Sequence, residues 1–177
     1  MIVVVMGVSG SGKTTVGRLL ARRWGCPFSD ADAFHPVANV AKMSRGVALD
    51  DADRGPWLRA VRAAIVAARR AGEDHVFACS ALADAHRRVL AQEGEADVVF
   101  VHLAGDIALI GERLAARRGH FFDPALLRDQ FARLESPAGA VVVDIRRPAE
   151  EIAEALARRL RDPAADRHPS NREDRET

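Results

Sequence analysis

The chain has few cysteines, few lysines, no long apolar run and almost no net charge, and each shortage excludes a class of protein. Cys26 and Cys79 lie far apart and fit no metal-ligand spacing, so we expect buried thiols in a reducing compartment. No apolar run approaches the roughly 20 residues of a membrane span. An apolar strand begins at residue 2, which leaves no room for a signal peptide. We therefore expect a soluble cytoplasmic protein.

A formal net charge of +1 gives no electrostatic reason to expect nucleic acid or an anionic membrane as a partner. Lys13 and Lys42 are the only lysines, so nearly all of the basic residues are arginine. Most of these arginines are expected on solvated helix faces. A functional arginine must therefore be identified by its position.

The length of 177 residues indicates one domain, and short β-rich runs alternate with longer helical patterns. This alternation predicts an α/β fold, a parallel sheet with helices on both faces. The predicted strands are Ile2–Met6, Pro27–Asp30, His75–Cys79, Val98–Leu103 and Ala140–Asp144. The predicted helices are Lys13–Trp24, Pro56–Ala71, Ala81–Gln92, Asp106–Arg117, Pro124–Leu134 and Ala149–Leu160, and the irregular stretch between Asp32 and Arg54 could hold one short helix around Val37–Met43. The domain is expected to cover residues 1–160, and residues 161–177, which lack apolar periodicity, are predicted to be a disordered tail.

Residues 7–14 read Gly-Val-Ser-Gly-Ser-Gly-Lys-Thr, a complete phosphate-binding loop, or P-loop. An apolar β-branched run precedes it and a helical stretch follows, so backbone N–H groups can wrap a polyphosphate at the positive end of a helix. Lys13 can reach the β- and γ-phosphates, and the Thr14 hydroxyl can ligate Mg²⁺. The pattern predicts a nucleoside triphosphate site that comprises Gly7, Val8, Ser9, Gly10, Ser11, Gly12, Lys13, Thr14 and Thr15.

Two carboxylates follow the second predicted strand, where an open parallel sheet binds its ligands. Asp30 and Asp32 can point into one crevice, so that one holds a Mg²⁺-bound water while the other accepts a proton from a substrate hydroxyl. The same residues could instead shape a turn. Because the third predicted strand ends in Cys79-Ser80 without an acidic residue, Asp30 is the best-placed carboxylate for the ion.

A single cation lies near the start of the helix that contains Trp57. The acidic run at positions 50–53 suits the helix dipole, whereas Arg54 opposes it, so a ligand anion facing Arg54 would explain its position. His35 and His120 are either polar turn residues or neighbours of a substrate or phosphate.

Another predicted helix ends in a cluster of arginines. Arg113, Arg117 and Arg118 could lie there because a helix C-terminus attracts cations. Alternatively they belong to a small mobile lid around residues 117–123. In that case Arg113 lies near the base, while Arg117 and Arg118 close over the phosphates and offset charge in the transition state.

Taken together, these motifs resemble gluconate kinase of the thermoresistant gluconokinase type, within the nucleoside-monophosphate-kinase-like branch of P-loop proteins. The resemblance spans residues 2–160, and its His-Pro, Pro-Trp-Leu and Gly-His-Phe-Phe elements are the most selective. The matching elements include Met6 to Lys13, Asp30-Ala31-Asp32 with Phe34-His35-Pro36, Asn39 with Lys42-Met43, Leu49-Asp50-Asp51 with Asp53-Arg54, Pro56-Trp57-Leu58, Cys79-Ser80-Ala81-Leu82 with Arg87, Arg117-Arg118-Gly119-His120-Phe121-Phe122, Leu134-Glu135 with Pro137, and Val143-Asp144.

The resemblance implies an ATP- and Mg²⁺-dependent enzyme that phosphorylates D-gluconate on its 6-hydroxyl. It also implies the sheet order 2-3-1-4-5 and a homodimer. A guanidinium matches a carboxylate bidentately, which suits recognition of a sugar acid over a neutral sugar. The implied catalytic residues are Lys13, Asp32 and Arg117, the implied substrate-binding residues are Asp32, His35, Arg54, Arg87 and His120, and the implied Mg²⁺ site is Thr14 with Asp30 acting through water.

The chain departs from the family pattern at two positions. Ala31 stands between the aspartates, where the family often has Gly, and Ala83 follows Cys-Ser-Ala-Leu, where the family usually has Lys. The second departure removes a cation from the substrate or phosphate region, and Arg87 or Arg88 could replace it.

Two other functions are compatible with a P-loop. One is a different small-metabolite kinase of the same fold, similar to shikimate kinase or a nucleotide kinase. The other is a non-catalytic ATP-binding regulatory module. The selective motifs argue against the first, and the intact set of Lys13, Thr14, Asp30 and Asp32 argues against the second.

Overall fold

The computed structural model describes residues 1–116 and 124–162. They form a three-layer α/β fold with a sheet of five parallel strands in the order β2-β3-β1-β4-β5, which confirms the predicted fold class. The strands are β1 (Ile2–Met6), β2 (Phe28–Asp30), β3 (His75–Ala78), β4 (Val98–Ala104) and β5 (Val141–Asp144). The α-helices of the described residues are α1 (Lys13–Trp24), α2 (Val37–Met43), α3 (Asp51–Arg70), α4 (Asp84–Leu90), α5 (Ile107–Ala115), α6 (Pro124–Arg133) and α7 (Ala149–Arg161).

The central strand β1 is buried on both faces, which explains its continuous apolar sequence. Val3 and Val5 belong to a core that contains residues of α1, α5, α6 and α7. Ile2, Val4 and Met6 point to the opposite face and share a second core with residues of α3 and α4. The helices therefore cover both faces of the sheet, as the alternating sequence pattern predicts.

Helix α3 begins at Asp51, five residues before the predicted start at Pro56. The cause is a capping box, in which the Asp53 N–H donates to Asp50 Oδ1 at 2.8 Å and the Asp50 N–H donates to Asp53 Oδ2 at 3.1 Å. Pro56 is tolerated inside the helix, although it cannot donate a backbone hydrogen bond. The capping box therefore starts the helix before the proline that the sequence predicts as its first residue.

Helix α4 is shorter than the predicted Ala81–Gln92 because the backbone after β3 is not helical there. Ala81 has φ +43°, a left-handed conformation that is rare outside glycine, and α4 starts only at Asp84. A 3₁₀ helix at Ala31–Phe34 was not predicted. Most other boundaries differ from the prediction by one or two residues.

The last helix extends one residue past the predicted domain boundary. The guanidinium of Arg161 lies 5.0 Å from the centre of the Trp24 ring, and its Nη2 lies 3.3 Å from Asp74 Oδ2. The predicted tail from residue 163 onward and the predicted lid at 117–123 lie outside the described residues.

Cys79 is buried, as predicted, and burial raises the pKa of its thiol to about 12. Cys26 is only partly buried. No described helix combines the length and apolar character that a bilayer span requires.

Candidate active site

A cavity of about 510 Å³ opens where β1, β2 and β3 end, a position typical of ligand sites in open parallel sheets. Its walls come from the P-loop, the turn after β2, the start of α3 and helix α6. The cavity brings together ten of the predicted site residues: Ser9, Gly10, Gly12, Lys13, Thr14, Thr15, Asp30, Asp32, His35 and Arg54.

The P-loop has the geometry of a phosphate cradle. Gly12 precedes α1 with φ +97°, and the first turn of α1 lines the cavity. This turn carries no acidic residue and no side-chain cap, so its N–H groups and the positive end of the helix dipole remain available to an anion. Gly10 has φ +82°, and a Cβ there would lie 2.7 Å from Leu114 Cγ. The ammonium of Lys13 donates to the Val8 carbonyl at 2.9 Å.

Three predicted nucleotide-binding residues, Gly7, Val8 and Ser11, do not line the cavity. The Gly7 N–H donates to the Ser80 carbonyl at 3.3 Å, and the side chain of Val8 packs into the core. The Ser11 hydroxyl is buried and has no hydrogen-bond partner among the described residues. Direct nucleotide contacts by the side chains of Val8 and Ser11 therefore have no geometric support.

Asp30 joins the P-loop to the turn after β2. Its Oδ2 accepts a hydrogen bond from the Thr14 hydroxyl at 2.8 Å, and its Oδ1 accepts one from the Asp32 N–H at 3.2 Å. Hydroxyl and carboxylate oxygens suit Mg²⁺, which usually takes one or two protein oxygens together with waters and substrate phosphates. Within residues 1–116 and 124–162 no cluster of three His, Cys, Asp or Glu side chains offers a complete metal site. Since the Thr14 hydroxyl and the Asp30 carboxylate are two oxygen donors side by side, they fit a Mg²⁺ ion that is shared with phosphate.

Trp57 of α3 fixes the turn that carries Asp32. Its indole Nε1 donates to the Ala31 carbonyl at 2.7 Å, and its ring stacks on His35 with centroids 4.4 Å apart. The side chain of Asp32 is 86% exposed, although its backbone is held in this turn. Its carboxylate can therefore reach a ligand in the cavity.

The imidazole of His35 is oriented by Asn39. The Asn39 amide lies with Nδ2 3.4 Å from His35 Nδ1 and donates to the Asp53 carbonyl at 2.8 Å. Since an amide NH₂ can only donate, Nδ1 acts as the acceptor and the proton lies on Nε2, which is 4.0 Å from Asp32 Oδ1. Burial lowers the pKa of His35, and the neighbouring Asp32 carboxylate opposes that shift. His35 is therefore neutral near pH 7.

Arg54 lines the same cavity as the P-loop and lies on the first turn of α3. Its Nη1 is 3.4 Å from Asp51 Oδ1, whose side chain is 91% exposed. The Arg54 side chain is 17% exposed, but its partner carboxylate lies in solvent at a long distance, so the pair contributes little energy and the guanidinium can exchange this partner for a ligand anion.

Arg87 and Arg88, the candidate replacements for the missing lysine, do not line the cavity. The guanidinium of Arg87 is buried and donates to the carbonyls of Ala81 and Leu82 at 3.1 and 2.8 Å. Arg88 is largely exposed and lies 2.7 Å from Asp84. In this geometry Arg87 stabilises the loop after β3, and its predicted contact with a substrate has no support.

The remaining predicted arginines lie elsewhere. Arg113 donates from Nη2 to the Ile145 carbonyl at 2.6 Å and does not line the cavity. Arg117, Arg118 and His120 lie outside the described residues, so their predicted roles stay predictions.

Sequence reasoning missed the contribution of α6. Leu126, Asp129 and Gln130 line the cavity, and Gln130 hydrogen-bonds to Ser9. The two partners are 121 positions apart, so no local pattern could have predicted their contact.

A family model described as shikimate kinase matches residues 9–160 of the chain. The chain is 42% identical over 155 residues to the thermoresistant gluconokinase of Escherichia coli K12, an alignment that covers 85% of this chain and 88% of the relative. It is 46% identical over 134 residues to the gluconokinase of Gluconobacter oxydans, which covers 76% of this chain and 75% of the relative.

Solved structures agree with these relatives. A gluconokinase from Sinorhizobium meliloti superimposes with a TM-score of 0.78 at 39% identity, over 92% of this chain and 96% of that one. A shikimate kinase from Aquifex aeolicus gives a TM-score of 0.59 at 18% identity, over 94% of this chain and 99% of that one, which is a likeness of fold alone.

Proposed function

The chain belongs to the gluconokinase family, and on that premise we propose that it transfers the γ-phosphate of ATP to the 6-hydroxyl of D-gluconate. The products are 6-phospho-D-gluconate and ADP. The observation that carries this proposal is the identity of 42% with the Escherichia coli gluconokinase over 85% of the chain. The cavity supports it, because the P-loop and an arginine suited to a carboxylate face the same space.

Phosphoryl transfer depends mainly on positioning and on offsetting charge. The backbone N–H groups of Gly10, Gly12, Lys13 and Thr14 and the ammonium of Lys13 hold the phosphates of ATP. The ammonium of Lys13 donates to the Val8 carbonyl, and its three N–H groups allow charge-assisted bonds to the phosphates as well. Thr14 and Asp30 would hold Mg²⁺, Asp30 through water, and the ion would neutralise charge on the phosphates.

Asp32 orients the 6-hydroxyl and accepts its proton as the oxygen attacks the γ-phosphorus in line. Its exposed carboxylate and its fixed backbone suit this role. His35 presents its Nε2–H to the same region and would donate to a substrate oxygen. Arg54 would bind the gluconate carboxylate bidentately, and this contact would distinguish a sugar acid from a neutral sugar.

Further roles rest on the resemblance to the family. Arg117 and Arg118 would close over the phosphates, Arg113 would lie near the base, and His120 would adjoin the substrate. Arg87 would bind the gluconate carboxylate only after a rearrangement of the loop after β3, which now holds its guanidinium. We further propose a cytoplasmic homodimer that acts on a small molecule and has no nucleic-acid or membrane partner.

An ADP-release assay with a panel of acceptors tests the proposed function. The purified protein is supplied with MgATP and D-gluconate, shikimate, nucleoside monophosphates or glucose in parallel. We expect turnover with gluconate and at most background rates with the others. Shikimate is the informative competitor, because the family model that matches the chain is described by that substrate. Faster ADP release with shikimate than with gluconate would refute the proposal.

A further inference from the structure

Helix α6 makes a specific contact with the P-loop. The Ser9 N–H donates to Gln130 Oε1 at 2.7 Å, and Gln130 Nε2 donates to Ser9 Oγ at 3.0 Å. The carbonyl oxygen of the Gln130 amide therefore binds the backbone of Ser9, and the NH₂ group of the same amide binds the Ser9 side chain. Such a paired contact fixes orientation as well as distance.

The position of this contact within the loop is informative. The Gly7 N–H donates to the Ser80 carbonyl and the Ser11 N–H to the Val8 carbonyl, so protein partners already hold the loop at these positions. Gln130 does the same at Ser9, between them. These bonds fix the loop at Gly7, Ser9 and Ser11, and Ser9 lines the cavity together with Gly10, Gly12 and the first turn of α1.

Gln130 is carried by a helix that is itself firmly packed. Leu127, one turn earlier on α6, is 3% exposed and belongs to the same core as Val8 and Leu114. Leu114 in turn lies directly against Gly10 of the P-loop. The amide of Gln130 therefore reaches Ser9 from a supported backbone.

We propose that Gln130 is a positioning residue for phosphate binding, which holds the P-loop at Ser9 in the conformation that receives the triphosphate. The residue acts through Ser9 and does not itself occupy the N–H groups of Gly10, Gly12 or Thr14, which line the cavity. Its effect on nucleotide binding is independent of the acceptor, whereas its effect on phosphoryl transfer to gluconate rests on the proposed function.

A double-mutant cycle on nucleotide binding tests the proposal. The Kd of a Mg²⁺-bound, non-hydrolysable ATP analogue is measured by calorimetry for wild type, Gln130→Met, Ser9→Ala and the double variant. Loss of both hydrogen bonds in Gln130→Met should raise Kd about tenfold, and loss of the hydroxyl bond alone in Ser9→Ala about threefold. The double variant should resemble Gln130→Met, because the hydroxyl has no amide left to bind. Multiplicative effects, or an unchanged Kd in Gln130→Met, would overturn the proposal.

Gln92→Met is the matched control, since Gln92 lies outside the cavity and should leave Kd unchanged. Melting temperatures separate positioning from packing: a lower Tm in Gln130→Met with a wild-type Kd would show a purely structural role. In steady-state assays we expect Gln130→Met to raise the KM for ATP while the KM for gluconate stays within about twofold. Because the calorimetric measurement contains no gluconate, failure of the gluconate assay and failure of the Gln130 proposal are distinguishable.

Discussion

Asp30 and Asp32 lie two residues apart, yet their carboxylates have different surroundings. Asp30 accepts hydrogen bonds from the Thr14 hydroxyl and the Asp32 N–H, whereas the side chain of Asp32 is 86% exposed at the cavity. We expect Asp32→Asn to bind MgATP normally but to lower kcat by about 10²–10³, the lower part of the range for general-base catalysis because phosphoryl transfer is loose. Asp30→Asn should instead shift the Mg²⁺ dependence of the rate.

Rates, ATP affinities and Mg²⁺ titrations of both variants distinguish the two roles. If Asp32→Asn retains most of its kcat while Asp30→Asn loses activity even at saturating Mg²⁺, the roles are the reverse of those proposed here. Asp129→Asn is a suitable control, because Asp129 also lines the cavity but has no proposed part in the reaction.

Among the described residues, Arg54 is the arginine that lines the cavity, so it should determine recognition of the acid group. We expect Arg54→Ala to raise the KM for gluconate by about one to two decades, the value of a charge-assisted hydrogen bond, and to change the KM for ATP much less. Arg59→Ala on the exposed side of the same helix is the control. An unchanged KM for gluconate, or efficient competition by glucose, would assign acid recognition to another residue.

The site residues that could be predicted from the sequence are those with local signals. The P-loop and the Asp30-Ala31-Asp32 turn are contiguous motifs beside strand ends, and the cavity contains both. Arg87 has no such local signal. The resemblance implies a substrate contact for Arg87, whereas its buried guanidinium donates to the carbonyls of Ala81 and Leu82.

Between elements, Trp57 links α3 to the 3₁₀ turn that carries Asp32. Trp57→Phe keeps the aromatic ring against His35 but removes the Nε1–H bond to the buried Ala31 carbonyl. An unpaired buried carbonyl costs about 1–3 kcal/mol, so we expect a comparable loss in the free energy of unfolding together with a lower kcat as the turn loosens. Urea unfolding and steady-state kinetics measure the two effects.

Trp24→Phe is the matched control for this variant. The Trp24 Nε1 is buried without a hydrogen-bond partner among the described residues, so its loss removes no such bond. If both substitutions destabilise equally and leave kcat unchanged, the indole of Trp57 contributes packing alone and does not position Asp32.

Elements with strong local signals match the sequence predictions, and the misses have physical causes. The boundaries of β1, α1 and α2 agree with the predicted ranges. The start of α3 depends on a reciprocal cap, and the start of α4 on a left-handed Ala81, which sequence periodicity does not report. The contact between α6 and the P-loop depends on tertiary packing, so no window of sequence contains it.

For the whole molecule, the histidines make the free energy of unfolding depend on pH. Burial lowers the pKa of all four described histidines, which are His35, His75, His86 and His102. Between each lowered pKa and the ordinary value of about 6.5, the unfolded chain binds more protons than the folded chain, so stability rises with pH. The Glu95 carboxylate behaves differently, because the hydrogen bond from Arg62 lowers its pKa to about 2. Its contribution to the free energy of unfolding is therefore lost only as the pH falls from about 4.5 towards 2.

We therefore expect the melting temperature to fall as the pH is lowered from 7.5 through 6.5 to 5, before the paired carboxylates are protonated. Each kcal/mol lost should lower Tm by about 2–4 °C in a domain of this size. His75 lies on β3, outside the cavity, so His75→Gln can test the cause without altering the active site. Its Tm should depend less steeply on pH than that of wild type, and NMR titration should place the pKa of His75 below 6.5. A wild-type slope in this variant, or a His75 pKa at or above 6.5, would assign the pH dependence to groups other than the buried histidines.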